Sequence, residues 1–145
     1  MAAAVPDLLR MSDSELDDLF RRSDAGEIPD GEAKGTAFVE PGTQLAGPAA
    51  KLVQYLAWKG KVFDREKGEL LNEVGPFGFN AVRAKVYKDA SWLDGEETIV
   101  LDYSDTSLIA HWIRDEIRTV GPGVYLGLVY WEKKKIFHFA LEFPT

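Results

Sequence analysis

The sequence predicts a mainly β protein of the α+β kind, an antiparallel barrel of about eight strands with two short helices near the N-terminus. Three observations lead to this fold class. The 145 residues suit a single domain, residues 1–145. From residue 58 onward apolar residues recur with a period of two, in short runs separated by turn signals. Short strands at this spacing are typical of a sheet that closes on itself, which removes exposed edges.

The helices are predicted from capping and spacing. Ser12 and Glu15 match a capping box, and the apolar residues that follow recur at helical spacing. A second helix is predicted over residues 48–56, where a proline suits the first turn. We therefore divide the chain into an acidic helical segment, residues 1–30, and a barrel body, residues 31–145.

The strands follow in order, and one region fits two structures. Within residues 105–120 the apolar positions fit a helix, whereas the alternation of Ile113, Asp115 and Ile117 fits a strand. Periodicity alone leaves both open. The predicted strands elsewhere cover residues 31–40, 59–63, 69–74, 80–88, 97–103, 123–131 and 135–143, and the last hairpin turns at residues 132–134.

Composition argues against several classes of function. The net charge is −7, and residues 1–32 hold nine acids and three arginines, so the chain lacks the basic surface of nucleic-acid-binding proteins. There are no cysteines and two histidines, so we expect no metal and no cofactor. The P-loop, dinucleotide and nucleophile-elbow motifs are missing, and we assign no catalytic residue. Without a signal peptide or long apolar run we expect a cytoplasmic protein, monomer or homodimer.

Two carboxylates, Asp102 and Asp115, lie within apolar stretches. A buried carboxylate must be paired, hydrogen-bonded or protonated. One interpretation is a general acid or base. The commoner situation is a structural ion pair, here with Arg118 or Arg83.

Arg83, Lys85 and Tyr87 share one face of a predicted strand. If that face points into a barrel, these side chains would hold an anionic head group through charge-assisted hydrogen bonds. The other interpretation is the solvent face of an ordinary amphipathic strand.

Aromatic residues enrich the C-terminal half. Tyr125 and Trp131 fit a barrel core, a pocket lining, or a rim that touches a membrane beside the basic turn at residues 133–135. His138 stands between two phenylalanines, a setting more typical of the core than of a ligand site.

Several segments, taken in order, point to one family. Residues 58–63, WKGKVF, have the form W-x-G-K-x-F, and residues 113–120 have the form I-x-D-x-x-R-x-V. Residues 101–103 carry an acid–tyrosine pair, and residues 137–142 read F-x-F-x-L-E. This ordered set resembles the GXWXG family of small, largely bacterial proteins. Where the naming motif should lie, residues 31–35 keep both glycines and lack the tryptophan, so the chain resembles a divergent relative.

The resemblance implies a calycin-like barrel, related in shape to lipocalins and fatty-acid-binding proteins, that binds lipids or other hydrophobic molecules. It also implies that residues 112–120 form a strand, entered through a short helical turn at 105–110. On such a strand Asp115 and Arg118, three residues apart, point to opposite faces.

We therefore expect the protein to bind a lipid or other small hydrophobic ligand inside the barrel and to contact a membrane surface. An alternative is a small barrel enzyme, of isomerase or cyclase type, in which one of the two carboxylates, Tyr103 or His138 transfers a proton on an apolar intermediate. A third is an interaction module that docks through the helix at 12–24. The expected ligand-binding residues are Trp58, Lys61, Phe63, Arg83, Lys85, Tyr87, Asp102, Tyr103, Asp115, Arg118, Tyr125, Trp131 and His138.

Overall fold

The computed structural model describes residues 2–38, 61–72, 82–105 and 112–144. Over these residues two helices precede eight strands, and neighbouring strands are antiparallel. The elements are α1 Val5–Leu8, α2 Asp13–Arg22, β1 Gly31–Phe38, β2 Lys61–Asp64, β3 Glu69–Asn72, β4 Val82–Ala90, β5 Glu97–Asp102, β6 Ile113–Gly121, β7 Val124–Trp131 and β8 Lys134–Glu142.

The eight strands form a closed barrel in chain order. β1 completes it by pairing with β8, from Lys34 opposite Glu142 to Phe38 opposite His138, while its first residues pair with β2. The predicted fold class is confirmed. Because each described strand has a neighbour on both sides, the barrel offers no long sheet edge to another chain.

β6 resolves the region that fitted two structures. It is a strand paired with β5 and β7, as the resemblance implies. α2 is the predicted capped helix, whereas α1 was not predicted. The helix predicted at 48–56 and most of the turn predicted at 105–110 lie outside the described residues.

Helix α2 lies on the outer wall of the barrel. Ser12 Oγ accepts the Glu15 amide at 3.1 Å, and Glu15 Oε1 accepts the Ser12 amide at 3.0 Å, which is the predicted capping box. Leu16 and Phe20 are buried against outward-facing residues such as Leu126. The apolar face of α2 is therefore occupied by its own barrel. Neither helix in the described part of the chain has the length and hydropathy of a membrane-spanning segment.

The segment after α2 packs over one end of the barrel, which we call the covered end. Ala25 and Ile28 contact the side chains inside the barrel. Arg65, in the β2–β3 turn, donates from Nε to the Ile28 carbonyl at 2.5 Å. The Tyr125 hydroxyl donates to the Glu27 carbonyl at 2.7 Å. These two hydrogen bonds attach the N-terminal segment to the β2–β3 turn and to strand β7.

Inside the barrel the side chains are mostly apolar. On β4, Ala84 and Val86 point inward. A Cβ at Gly127 would lie 2.3 Å from the Phe139 ring, so the aromatic ring occupies the space that any larger residue would need. The large, fully buried apolar residues of the interior are Leu70, Ile99, Leu101, Ile117, Phe139 and Leu141.

Candidate functional site

Four polar side chains interrupt this apolar interior: Lys61, Asn72, Tyr103 and Asp115, which we call the polar quartet. Each is at most 5% exposed. Lys61 lies directly opposite Asn72 on the β2–β3 hairpin, and Asp115 lies opposite Leu101 on β5. Tyr103, two residues after Leu101, therefore falls on the same side as Asp115. All four lie in the half of the barrel away from the covered end, toward the end that we call the rim, where β1, β3 and β5 finish.

Three members of the polar quartet are joined by hydrogen bonds. Lys61 Nζ donates to Asn72 Oδ1 and, at 3.0 Å, to the Tyr103 hydroxyl oxygen. Asn72 Nδ2 also donates to that oxygen, at 2.5 Å. The ammonium lies 5.9 Å from the centre of the Phe139 ring. Lys61 is thus held in one position by polar and aromatic neighbours together.

Asp115 is the exception within the quartet. Its Oδ2 lies 3.8 Å from Lys61 Nζ, beyond ordinary hydrogen-bond length. Neither of its oxygens accepts a hydrogen bond from the residues that the structure describes. A buried carboxylate without such bonds is costly, so this side chain is not explained by the packing around it.

Burial also displaces the proton affinities of the quartet. Burial, only partly offset by Lys61, raises the pKa of Asp115 to about 6. Burial likewise lowers the pKa of Lys61 to about 8, against the attraction of Asp115. Burial and the nearby Asp115 charge raise the pKa of Tyr103 well above its ordinary value. The site therefore places a carboxyl that titrates near neutral pH beside an ammonium, within an apolar enclosure.

Six of the expected ligand-binding residues do face the interior. Besides Lys61, Tyr103 and Asp115 they are Phe63, Tyr125 and Trp131, which belong to or pack against the interior cluster. Asn72 was not predicted. The cation nearest to Asp115 is the Lys61 ammonium on β2, so the expected ion pair of Asp115 with Arg118 or Arg83 is wrong.

Of the two interpretations of Arg83, Lys85 and Tyr87, the solvent face is confirmed, and their inclusion among the ligand-binding residues inside the barrel is wrong. Ala84 and Val86 take the interior positions, and the three larger polar residues lie outside because side chains alternate along a strand. Outside, the Tyr87 hydroxyl donates to Asp102 Oδ2 at 2.6 Å. The lysine and the arginine form exposed ion pairs with Asp105 and Glu69.

Arg118 and His138 are buried, but between the barrel wall and the N-terminal segment. Arg118 makes a two-bond contact with Asp94, at 2.7 and 2.8 Å, and donates to the Phe20 carbonyl at 2.8 Å. His138 lies between Asp13 and Asp17 of α2, at 2.9 and 2.7 Å. Both residues attach α2 to the barrel and do not contribute to its interior. Trp58 falls outside the described residues.

Comparisons with known proteins support the fold. No family model matches the chain, and no curated protein matches it. A solved structure, described as the crystal structure of a protein from Thermomonospora curvata, is similar with a TM-score of 0.64. That likeness covers 93% of this chain and 89% of the other, at 17% sequence identity. At this identity the likeness establishes a shared barrel architecture and nothing about what the barrel does.

Proposed function

We propose that the protein binds a small, largely apolar molecule, such as a lipid, inside the barrel, with the polar end of that molecule at the polar quartet. The observation that carries the proposal is Asp115: a buried carboxylate whose oxygens are not used by the described residues, in an interior that is otherwise apolar. Ligand sites in proteins combine an apolar lining with a few placed polar groups of this kind.

A purely structural role explains the quartet less well. Removing a lysine and a carboxylate from water costs more than their attraction returns unless further hydrogen bonds complete the pair. Lys61 has those bonds and Asp115 does not. An apolar pair of similar volume would stabilise the barrel at least as well, so the presence of the ion pair favours a role in binding.

The test is uptake of simple chain molecules. The protein is incubated with decanol, decanoate and methyl decanoate and examined by native mass spectrometry. We expect at least one of the three to add its mass in a one-to-one complex. The double variant Lys61→Met/Asp115→Leu should weaken that uptake, and the control Glu116→Gln, which changes a carboxylate on the outer face of β6, should not. Absence of any complex with the wild-type protein would overturn the proposal.

The rim carries residues that are suited to contact an anionic membrane surface. An apolar ligand would then enter the barrel from the membrane. Trp112 is 48% exposed, and its carbonyl accepts the Glu132 amide at 3.2 Å. The exposed Lys133 lies next to Glu132 in the β7–β8 turn, and the exposed Lys134 begins β8. Lys135 is not part of this basic group, because it forms an ion pair with Asp17 of α2. An exposed indole beside two lysines is a common combination at membrane interfaces.

The displaced pKa of Asp115 favours a second candidate, an enzyme that moves a proton on an apolar intermediate. A carboxyl with a pKa of about 6 and open oxygens has the properties of a general base near neutral pH. An NMR titration of the Asp115 carboxyl carbon tests this candidate. We expect a midpoint near 6, and a midpoint near the ordinary 3.8 would remove Asp115 as the base.

A further inference from the structure

We propose that the group bound at the polar quartet is an uncharged hydrogen-bond donor, an alcohol hydroxyl, and not a carboxylate. This inference rests on the proposed function and specifies the chemistry of the ligand. Its basis is the two open oxygens of Asp115, together with the charges of Lys61 and Asp115.

The described residues leave one N–H group of Lys61 and both carboxylate oxygens of Asp115 without a hydrogen bond. Lys61 directs two N–H groups to Asn72 and Tyr103, and its third is nearest to Asp115 at 3.8 Å. Asn72 donates to Tyr103. Both oxygens of Asp115 lack a donor from the described residues. A ligand that completes this arrangement must donate a hydrogen bond, and one to an ionised carboxylate is stronger than one between neutral groups.

The charges exclude the two ionic alternatives. A carboxylate ligand held by the Lys61 ammonium would meet the Asp115 charge at short range, because Lys61 Nζ lies 3.8 Å from Asp115 Oδ2. A protonated amine at Asp115 would lie close to the Lys61 ammonium, since the two protein groups are 3.8 Å apart. Lys61 and Asp115 neutralise each other, so the interior accepts a neutral group at the least electrostatic cost.

The experiment compares three ligands with the same chain. Dissociation constants for decanol, decanoate and methyl decanoate are measured at pH 7.5 by isothermal titration calorimetry. We expect decanol to bind about tenfold or more tightly than methyl decanoate, because only the alcohol can donate a hydrogen bond to the carboxylate. Decanoate should bind more weakly than decanol as well.

Variants assign the preference to Asp115. Asp115→Leu removes the acceptor and places a larger apolar side chain there, so decanol should lose its tenfold advantage over methyl decanoate. Should Asp115→Leu fail to fold, judged by circular dichroism, the double variant Lys61→Met/Asp115→Leu serves the same purpose without an unpaired ammonium. Glu116→Gln is the matched control and should keep the wild-type preference.

The outcomes separate the two proposals. If methyl decanoate or decanoate binds as tightly as decanol, the hydroxyl inference is wrong and binding inside the barrel stands. The hydroxyl inference is also wrong if the variants without Asp115 keep the preference for decanol. If the wild-type protein binds none of the three, the proposed function fails, and the inference fails with it.

Discussion

Asp115 and Glu116 are neighbours in the chain and equally buried, at 1% and 0% exposed, yet they lie on opposite sides of the barrel wall. Glu116, on the outer face, accepts hydrogen bonds from the Ser91 hydroxyl at 2.6 Å, the Trp92 amide at 2.9 Å and Arg114 Nε at 3.1 Å. Asp115, on the inner face, accepts none from the described residues. Burial alone therefore does not distinguish the two carboxylates, whereas the completeness of their hydrogen bonds does.

The same contrast holds for the cations. Arg118, outside the barrel, is matched to Asp94 and to backbone carbonyls. Lys61, inside, has two hydrogen bonds and a carboxylate that stands at a distance. Complete networks outside the barrel hold the N-terminal segment in place, whereas the network inside leaves the Asp115 oxygens without a donor from the described residues. Substitutions outside the barrel should therefore affect mainly stability, and substitutions inside it should affect mainly binding.

The largest effect is expected outside the barrel. Arg118→Met should lower the free energy of unfolding by about 3–5 kcal/mol, because three carbonyl oxygens and the half-buried Asp94 carboxylate would lose their donor. Urea denaturation measures this. Arg21→Met, which removes a more exposed ion pair with Asp18, is the control and should change stability by less than about 1 kcal/mol. Equal effects of the two variants would refute a special role for Arg118.

Inside the barrel the ion pair should be dispensable for folding. The double variant Lys61→Met/Asp115→Leu should be about as stable as the wild type. Removing the two buried charges stabilises the protein by about 1–4 kcal/mol, and the loss of the Lys61 donor to Asn72 and Tyr103 costs about 1–3 kcal/mol. On the outer face Glu116→Gln should cost about 1–3 kcal/mol, because its hydrogen bonds would be imperfectly replaced. Urea denaturation of both variants tests the contrast. A double variant that is the less stable of the two would contradict it.

The pH dependence of stability should carry the signature of the inner pair. The folded pKa of Asp115, about 6, exceeds the ordinary 3.8, so its contribution is fully present below about pH 4 and is lost as the pH rises through 6. The folded pKa of Lys61, about 8, lies below the ordinary 10.5. Its contribution is present above pH 10.5 and is lost as the pH falls through 8.

Together these shifts predict that the inner pair stabilises the protein least between about pH 6 and 8. The measurement is the difference in unfolding free energy between the wild type and Lys61→Met/Asp115→Leu across the pH range. Each group changes that difference by up to about 1.4 kcal/mol per pH unit within its window. A difference that does not vary with pH would show that neither group is displaced.

The smallest effect is expected at the rim. Lys133→Gln/Lys134→Gln should weaken sedimentation with vesicles that contain phosphatidylserine, by about 1 kcal/mol for each lysine. Lys67→Gln, at an exposed turn near the covered end, is the matched control and should have no effect. Wild-type protein that stays in the supernatant would remove the membrane proposal.

The fold was largely predictable, because period-two runs and turn residues are local signals that read directly as hairpins. The orientation of β4 was not. Alternation shows that Arg83, Lys85 and Tyr87 share a face, but it does not show which face is inside. The small size of Ala84 was the available signal, since a crowded barrel interior favours small residues beside aromatic ones.

The site was partly predictable. Lys61, Tyr103 and Asp115 were named from the resemblance and from charge within apolar sequence. Asn72 was missed, although the β2–β3 hairpin places it directly opposite Lys61. The correct turn length would have given this pairing, because turn length sets the register of a hairpin. The unmet hydrogen bonds of Asp115 depend on distances between strands that are far apart in sequence, and no local pattern contains them.

Residues 25–30 close one end of the barrel, so the interior is covered on that side. Arg65 in the β2–β3 turn and Tyr125 on β7 bind this cover through hydrogen bonds to its backbone. Its loss would admit water to the interior and expose aromatic side chains such as Phe63 and Phe143, whose ring centres are 5.6 Å apart. Proteolysis within the first thirty residues should therefore remove this cover, and with it the retention of a ligand of the kind proposed above.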